Sequence, residues 1–309
     1  MLTTALTLLC ALGYVSSSFA KSSPSSNGSS TVYFRQAATT SAAFPYTPSP
    51  NGLKCIVTPL GRDRDDSSQI LAAVQKCGIN GTITLPALYV YTISRRMHMN
   101  LQNARLEIFV QNQSTGWIVE GNNFEINGDG WMQGGVNGNG QAWMTHAAGH
   151  SNQFGRPIVI SIFNSSNVIV TNFSIRQPMF WSFWIQDSYN VEISKVYING
   201  TNTDPYGNSS NYETNIDGLD SLRVDHLLVR DWQFHGGDDC LAPKGNTTNM
   251  VINNMTCAGG GIAFGSICQY VDSPDYIFNV TATNISVSKT LIRALGELQY
   301  LVELTSNLG

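Results

Sequence analysis

The stretch Ser166-Asn167-Val168-Ile169-Val170-Thr171-Asn172-Phe173-Ser174-Ile175 is echoed 23 residues later by Tyr189-Asn190-Val191-Glu192-Ile193-Ser194-Lys195-Val196-Tyr197-Ile198. The pattern returns at Leu222-Arg223-Val224, Thr248-Asn249-Met250-Val251-Ile252 and Phe278-Asn279-Val280, at further intervals of 33, 26 and 30 residues if Asn190, Arg223, Asn249 and Asn279 are matched. Each unit holds short runs of alternating apolar and polar residues separated by polar turns. A unit of that size cannot bury its own apolar face but can stack on copies of itself. The expected fold is therefore all-β, a right-handed parallel β-helix. A β-sandwich is the competing reading; its hairpins would recur at shorter, steadier spacing, and few Asn-Gly turns join adjacent strands here. Asn suits the corners of such a coil because it tolerates left-handed backbone angles and can stack in ladders.

Working outward, a short strand is expected at Cys55-Ile56-Val57. Ser67-Ser68 then caps a helix that buries Ile70, Leu71 and Val74, a short N-terminal lid on the coil. Strand-like runs follow at 82–85 and 106–110. Residues 1–20 hold an apolar run from Leu6 to Val15 and small residues at Ser18 and Ala20, the pattern of a secretory signal peptide. Residues 21–50, rich in Ser, Thr and Pro, read as an extended leader. The coil occupies 51–288, and 289–309 form an atypical tail in which Leu295, Leu298, Leu301, Val302 and Leu304 have helical spacing.

The chain has 309 residues, 42% hydrophobic but only 12% charged, with 17 Lys and Arg against 21 Asp and Glu. Gly and Asn, 28 of each, make up the polar remainder. A net charge of −4 excludes a general phosphate-binding surface, so no nucleic acid partner is expected. The first apolar run is too short to span a bilayer, which makes a membrane anchor the lesser reading of it, and no later segment is long and apolar enough to span one. Asn-x-Ser/Thr sequons, among them those at Asn27, Asn112, Asn164, Asn172, Asn199, Asn208, Asn246, Asn254, Asn279 and Asn284, accord with a secreted, extracellular monomer. After removal of the signal, Cys55 with Cys77 and Cys240 with Cys257 are the natural local pairs, leaving Cys268 over. No CxxC spacing supports a metal, and no cofactor is expected.

Two segments carry the chemistry: Asn215-Ile216-Asp217-Gly218-Leu219-Asp220 and Gly236-Gly237-Asp238-Asp239-Cys240. Asp217 and Asp238 are 21 residues apart, close to one coil, so they are expected on adjacent rungs of one face. In a chain this poor in charge an Asp-Asp pair is costly, and one member should have a raised pKa. A protonated and an ionised carboxyl side by side are what glycosidic hydrolysis requires. Surface turns are the bland alternative. Calcium would want alternating Asp/Asn with a nearby Glu, which neither segment supplies. Phe180, Trp181, Phe183 and Trp184 exceed what a thin coil buries, so they either wall a sugar cleft or pack the core.

Asn-x-Asp-Gly, then Gly-Asp-Asp-Cys 21 residues on, then Cys257-Ala258-Gly259-Gly260-Gly261-Ile262-Ala263-Phe264-Gly265-Ser266, resembles glycoside hydrolase family 28, the polygalacturonase-like pectin hydrolases with a pectin-lyase-like solenoid. Cys55, Asp65-Asp66 and Cys77 look like the family's N-terminal disulfide helix, and 128–130 through 140–143 like its Gly-rich first-coil loop. Pro243-Lys244-Gly245-Asn246 and Gln269-Tyr270 are most similar to the exo-acting fungal branch. The resemblance implies an inverting hydrolase of α-linked galacturonic acid in pectic polysaccharide. Asp238 would be the general acid, with Asp217 and Asp239 holding and deprotonating the attacking water. Asn215, Lys244, Trp181 and Gly260 are the candidate substrate-binding residues.

The chain departs from the family at two places. Gly259-Gly260-Gly261 stands where polygalacturonases carry Gly-His-Gly, which points also to rhamnogalacturonan as an alternative substrate; His235, three residues before Asp238, is the nearest His in sequence. The Arg-Ile-Lys that binds the substrate carboxylate is missing after the last repeat, so the C-terminus is expected to be truncated or altered, and an inactive pectin-binding remnant is the reading outside enzymes.

Overall fold

The computed structural model describes residues 30–32 and 52–288, apart from 62–63, 87–88, 90, 109–115, 129–133, 151–155, 205–212 and 268–274. The signal-like run, most of the leader, Cys268, Gln269-Tyr270 and the tail with Leu295 to Leu304 lie outside the described residues.

Three long strands form the centre of the molecule: β7 (Ile160–Arg176), β8 (Phe183–Asn199) and β9 (Leu219–His235), of 17 residues each. Each bends at three residues with left-handed backbone, Asn164, Asn167 and Asn172 in β7, Asp187, Asn190 and Lys195 in β8, and Arg223, His226 and Asp231 in β9, so one strand supplies successive faces of a coil. Before them lie β2 (Lys54–Ile56), helix α1 (Ser67–Cys77), β3 (Thr82–Leu85), β4 (Met97–Ile108) and β5 (Trp117–Asn127). After them come β10 (Ala242–Pro243), β11 (Thr247–Ala258) and β12 (Ile277–Ser288). From β2 to β12 every pairing is parallel and in the order β2-β3-β4-β5-β7-β8-β9-β11-β12, with β10 on β9. The chain is a right-handed parallel β-helix. Two further strands hang on it: β6 (Gly135–Asn137) pairs with β7, and β1 (Ser30–Val32), from the leader, runs antiparallel to β12.

The core is a set of apolar columns. Phe124, Val168, Val191, Leu227, Met250 and Val280 stand in register on successive rungs, as do Ile126, Val170, Ile193, Val229, Ile252 and Ala282. Most of these are almost completely buried, and each fully buried aliphatic side chain contributes about 1.5–3 kcal/mol. At the corner before this face an Asn column follows the rungs. Asn103 donates to Asn80, Asn123 to Asn103, Asn167 to Asn123 and Asn190 to Asn167, at 3.1, 3.0, 2.7 and 2.8 Å. All five have φ between 45° and 55°.

The repeat is as expected except for one register. Asn190 is matched by His226, not Arg223, because Tyr189 pairs with Asp225 and Val191 with Leu227. Arg223 (φ 52°) belongs to the preceding bend, beside Asp187 (φ 51°), with which it forms an ion pair. The two bends are three residues apart in both strands, and each is flanked by alternating apolar residues, so the pattern alone cannot distinguish them.

Helix α1 forms where expected and buries Ile70, Val74 and Cys77, with Leu71 partly buried. Its N-cap is Asp66 rather than a serine, and Asp65 Oδ1 accepts the Ser67 backbone N–H at 3.0 Å. Both expected disulfides, Cys55–Cys77 and Cys240–Cys257, are present. A second helix, α2 (Gln141–Ala147), stands in the Gly-rich loop region.

Candidate active site

The two carboxylate segments lie on consecutive rungs. Ser182 N–H donates to Asp217 O at 2.9 Å and Gly218 N–H to Asp239 O at 2.8 Å, so the first segment is held between the turn entering β8 and the Asp pair. Gly218 is required by this contact, since a Cβ there would lie 2.2 Å from Cys240 O. The Cys240–Cys257 bridge ties the Asp pair to β11.

Asp217, Asp238 and Asp239 are thereby brought together, with one carboxylate oxygen from each within 4.8 Å of the others. This meets the expectation of one face. The closeness follows from the architecture: rungs stack about 4.8 Å apart, and Asp238 and Asp239 are neighbours in the chain. Gly260 closes the other side. Its N–H donates to Asp238 O at 2.7 Å, and a Cβ would stand 3.0 Å from Asp239 Oδ1, so this position has no room to spare against the pair.

Burial raises the pKa of all three carboxyls. Asp217, 3% exposed, is pushed up furthest, first by desolvation and then by its carboxylate neighbours Asp220, Asp238 and Asp239. Asp239 is pushed up to about 6 by burial and by Asp238. Asp238 is also raised by burial, but the N–H groups of Asn215 (2.6 Å) and Asp239 (3.1 Å) donate to its two oxygens and oppose the rise. Asp217 Oδ1 has no hydrogen-bond partner among the described residues, and a buried carboxylate oxygen in that state calls for water or a ligand. Three such carboxylates titrate as a unit, sharing protons.

The other expected residues take different places. Asn215 reaches Asp238 through its backbone N–H, not its side chain. Lys244 Nζ stands 3.0 Å from Asp220 Oδ1, donates to Gly265 O at 3.2 Å and lies 5.1 Å over the Trp181 ring. The aromatics divide: Phe183 is core, whereas Phe180, Trp181 and Trp184 are half-buried and stacked, with centroids 4.9 and 5.3 Å apart. They form a wall beside the carboxylates. His235 lies at the end of β9 near Gln233 and Tyr197, in register with Asn199 and Ala258.

Two charged residues were missed by the sequence reading. Arg156, 7% exposed, donates to Met179 O and Thr214 O, stacks on Phe180 at 5.2 Å and raises no carboxyl; its charge favours the ionised forms of Asp217 and Asp238. Its only signal was being a rare cation. Asp220, fully buried, is a fourth carboxylate with its pKa raised to about 7. It stands in the quoted segment, and nothing local marks it as buried. With Lys244 and Arg156 already beside the cluster, the donor set is poorly suited to a further cation.

The Glycosyl hydrolases family 28 model matches residues 94–293. The chain is 40% identical over 274 residues to the Aspergillus niger protein named "Putative galacturan 1,4-alpha-galacturonidase A", covering 81% of this chain and 62% of that one. It is 28% identical over 257 residues to an exopolygalacturonase of Cochliobolus carbonum, covering 76% and 55%. The chain thus spans about three fifths of the length of curated relatives it matches. Among solved structures, endo-xylogalacturonan hydrolase from Aspergillus tubingensis superposes with a TM-score of 0.70 at 19% identity, covering 79% of this chain and 67% of that one. A polygalacturonase from Erwinia carotovora gives 0.61 at 18%, covering 81% and 72%. These two show the shared fold.

Proposed function

Because the chain belongs to family 28 of the glycosyl hydrolases, we propose that it hydrolyses α-1,4-galacturonic acid linkages of pectic polysaccharide, acting from the chain end. The observation that carries this reading is the trio of carboxylates on adjacent rungs, Asp217 buried and Asp238 and Asp239 partly so, within the stretch the family model matches. The names of the most similar relatives support the exo mode.

In the proposed reaction a protonated carboxyl, assigned to Asp238 by motif position, gives its proton to the glycosidic oxygen as the bond to C1 breaks. A water held by Asp217 and Asp239 adds to C1 and leaves its proton on an ionised carboxylate. Burial raises the Asp238 carboxyl, as an acid role needs, and raises Asp217 and Asp239 as well, so the base is whichever of those two is ionised. Trp181 and its stacked neighbours offer an apolar face to the sugar ring. Inversion at C1 rests on the family resemblance, whose inverting enzymes use an acid and a base carboxyl with room for water between them. Secretion is part of the same proposal. It is supported by the signal-like first 20 residues and the two disulfides, and no helix among the described residues is long and apolar enough to cross a membrane.

The test is incubation with polygalacturonate and with trigalacturonate, following reducing ends, product length and the anomer first released by NMR. Monomer as the β-anomer supports exo-acting inversion. Failure to cleave either, with cleavage of rhamnogalacturonan instead, favours the second reading, to which the Gly259-Gly260-Gly261 segment without His points.

A further inference from the structure

Lys244 is an unusual candidate for gripping a substrate carboxylate. Its side chain is only 19% exposed, and its ammonium is already held on three sides, by Asp220, by Gly265 O and by the face of Trp181. Its partner Asp220 is wholly buried, three residues after Asp217 on the same rung, and Ala242 is its register neighbour. The pair therefore joins the two segments that carry the cluster, and no substrate reaches its acidic half.

The charges can be counted. Asp217, Asp220, Asp238 and Asp239 are four carboxylates, and Lys244 and Arg156 are two cations. Lys244 is faced by Asp220 from β9 and by Asp217, Asp238 and Asp239 from the flanking turns, and Arg156 faces Asp217 and Asp238. Asp275 lies against Gly245, on the side of Arg223. With one proton held for the acid step, three negative charges stand against two positive. Without Lys244 they stand against one, and a second proton is drawn onto the cluster, which silences the base.

We propose that Lys244 is the internal counter-ion of the carboxylate cluster, a positioning residue that through Asp220 keeps the base ionised and takes no part in holding substrate. The catalytic consequence rests on the hydrolase reading above; the charge balance does not.

Four proteins decide it: wild type, Lys244→Met, Asp220→Asn and the double variant. Each is assayed on trigalacturonate across pH 3.5–7.5 (~1 pH-unit steps suffice for shifts of this size), and its thermal unfolding is followed over the same range without substrate. Lys244→Met is expected to lower kcat about tenfold or more, with KM nearly unchanged and the acid limb of the rate profile moved up by about one pH unit. Asp220→Asn added to it restores the balance and most of the kcat, and the same pattern of loss and recovery appears in the pH dependence of unfolding. If Lys244→Met does not fold, a double variant that folds supports the pair, and one that does not overturns it. A rise in KM with the pH limb unmoved and no recovery in the double variant shows that Lys244 grips substrate, and the proposal fails. An inert wild type defeats the hydrolase reading instead, and the counter-ion is then judged on unfolding alone: recovery in the double variant supports it, and its absence overturns it.

Discussion

The Asn corner and the carboxylate face belong to the same coil, the Asn ladder on the rungs up to β8 and the acids on the two that follow, yet they solve opposite problems. At the corner one residue type recurs from Asn80 to Asn190, and each side chain donates to the one before it. The groups are neutral, the demand is identical at every rung, and the polar atoms are satisfied by the repeat itself. At the carboxylate face nothing repeats. In register with Asp220 stand Trp184 on one side and Ala242 on the other. Four acids gather within two rungs, their pKa values are raised, and Asp217 Oδ1 lacks a protein partner among the described residues. The corner even loses its own pattern at that rung, where His226 replaces Asn and pairs with Asp225 at 3.0 Å. In a solenoid, architecture lies where the rungs agree and chemistry where they differ.

The comparison breaks most sharply at Asp238. Asp238→Asn should lower kcat by about 10²–10⁴-fold with little effect on oligogalacturonate affinity, since an amide keeps the shape but holds no transferable proton. Retention of more than about a tenth of the rate would remove Asp238 from the acid role. Opening the Cys240–Cys257 bridge by replacing both with Ala should cost about 3 kcal/mol, from the chain-entropy estimate for a loop of about 17 residues. It would be read as a lower denaturant midpoint, with rate lost because the Asp pair is no longer anchored to β11.

Asn190→Ala should do the reverse of Asp238→Asn. It loses a rung-to-rung hydrogen bond and puts alanine, which lacks the polar side chain that lets Asn tolerate the left-handed region, at φ 53°, together about 2 kcal/mol of stability, with kcat unchanged once folded. Asn190→Gly should recover the backbone part only. Smaller again, Trp181→Ala should raise KM about three- to tenfold, with kcat less affected, if the stacked wall holds sugar; unchanged KM would return it to core packing.

The last effect is a slope. A carboxyl whose folded pKa lies above the unfolded value of about 3.9 favours the fold while protonated, so its contribution is present below that pH and lost as pH rises through the folded pKa. For Asp239 and Asp220 the loss runs from about pH 4 to about 6 and 7 respectively. Thermal unfolding should therefore move to lower temperature across that range, and Asp239→Asn should flatten the fall. A wild-type curve that rises from pH 4 to 7 would contradict the burial of these groups.

The coil was legible because its demands are local and periodic. Val168, Val191 and Met250 announce one face, Asn167 and Asn190 one corner, and the same spacing returns often enough to be read without any contact being known. The Asp segments were legible for a related reason, since 21 residues is close to one turn and charge is scarce. Register was less secure. Arg223 was matched to the Asn column, and only the pairing of Val191 with Leu227 puts His226 there.

By itself, the sequence determined the class of fold, the two local disulfides and the convergence of Asp217, Asp238 and Asp239. Each follows from separations within about one coil, where chain connectivity limits the choices. Tertiary structure alone decided which residues surround that trio. Arg156 lies 61 residues before Asp217 and arrives over Phe180 through the stacking of separate rungs, and Asp220 is sealed only once Lys244 folds over it. Burial, and with it the raised pKa values, belongs to the assembled stack: desolvation depends on everything that covers a group, and no window of sequence contains that.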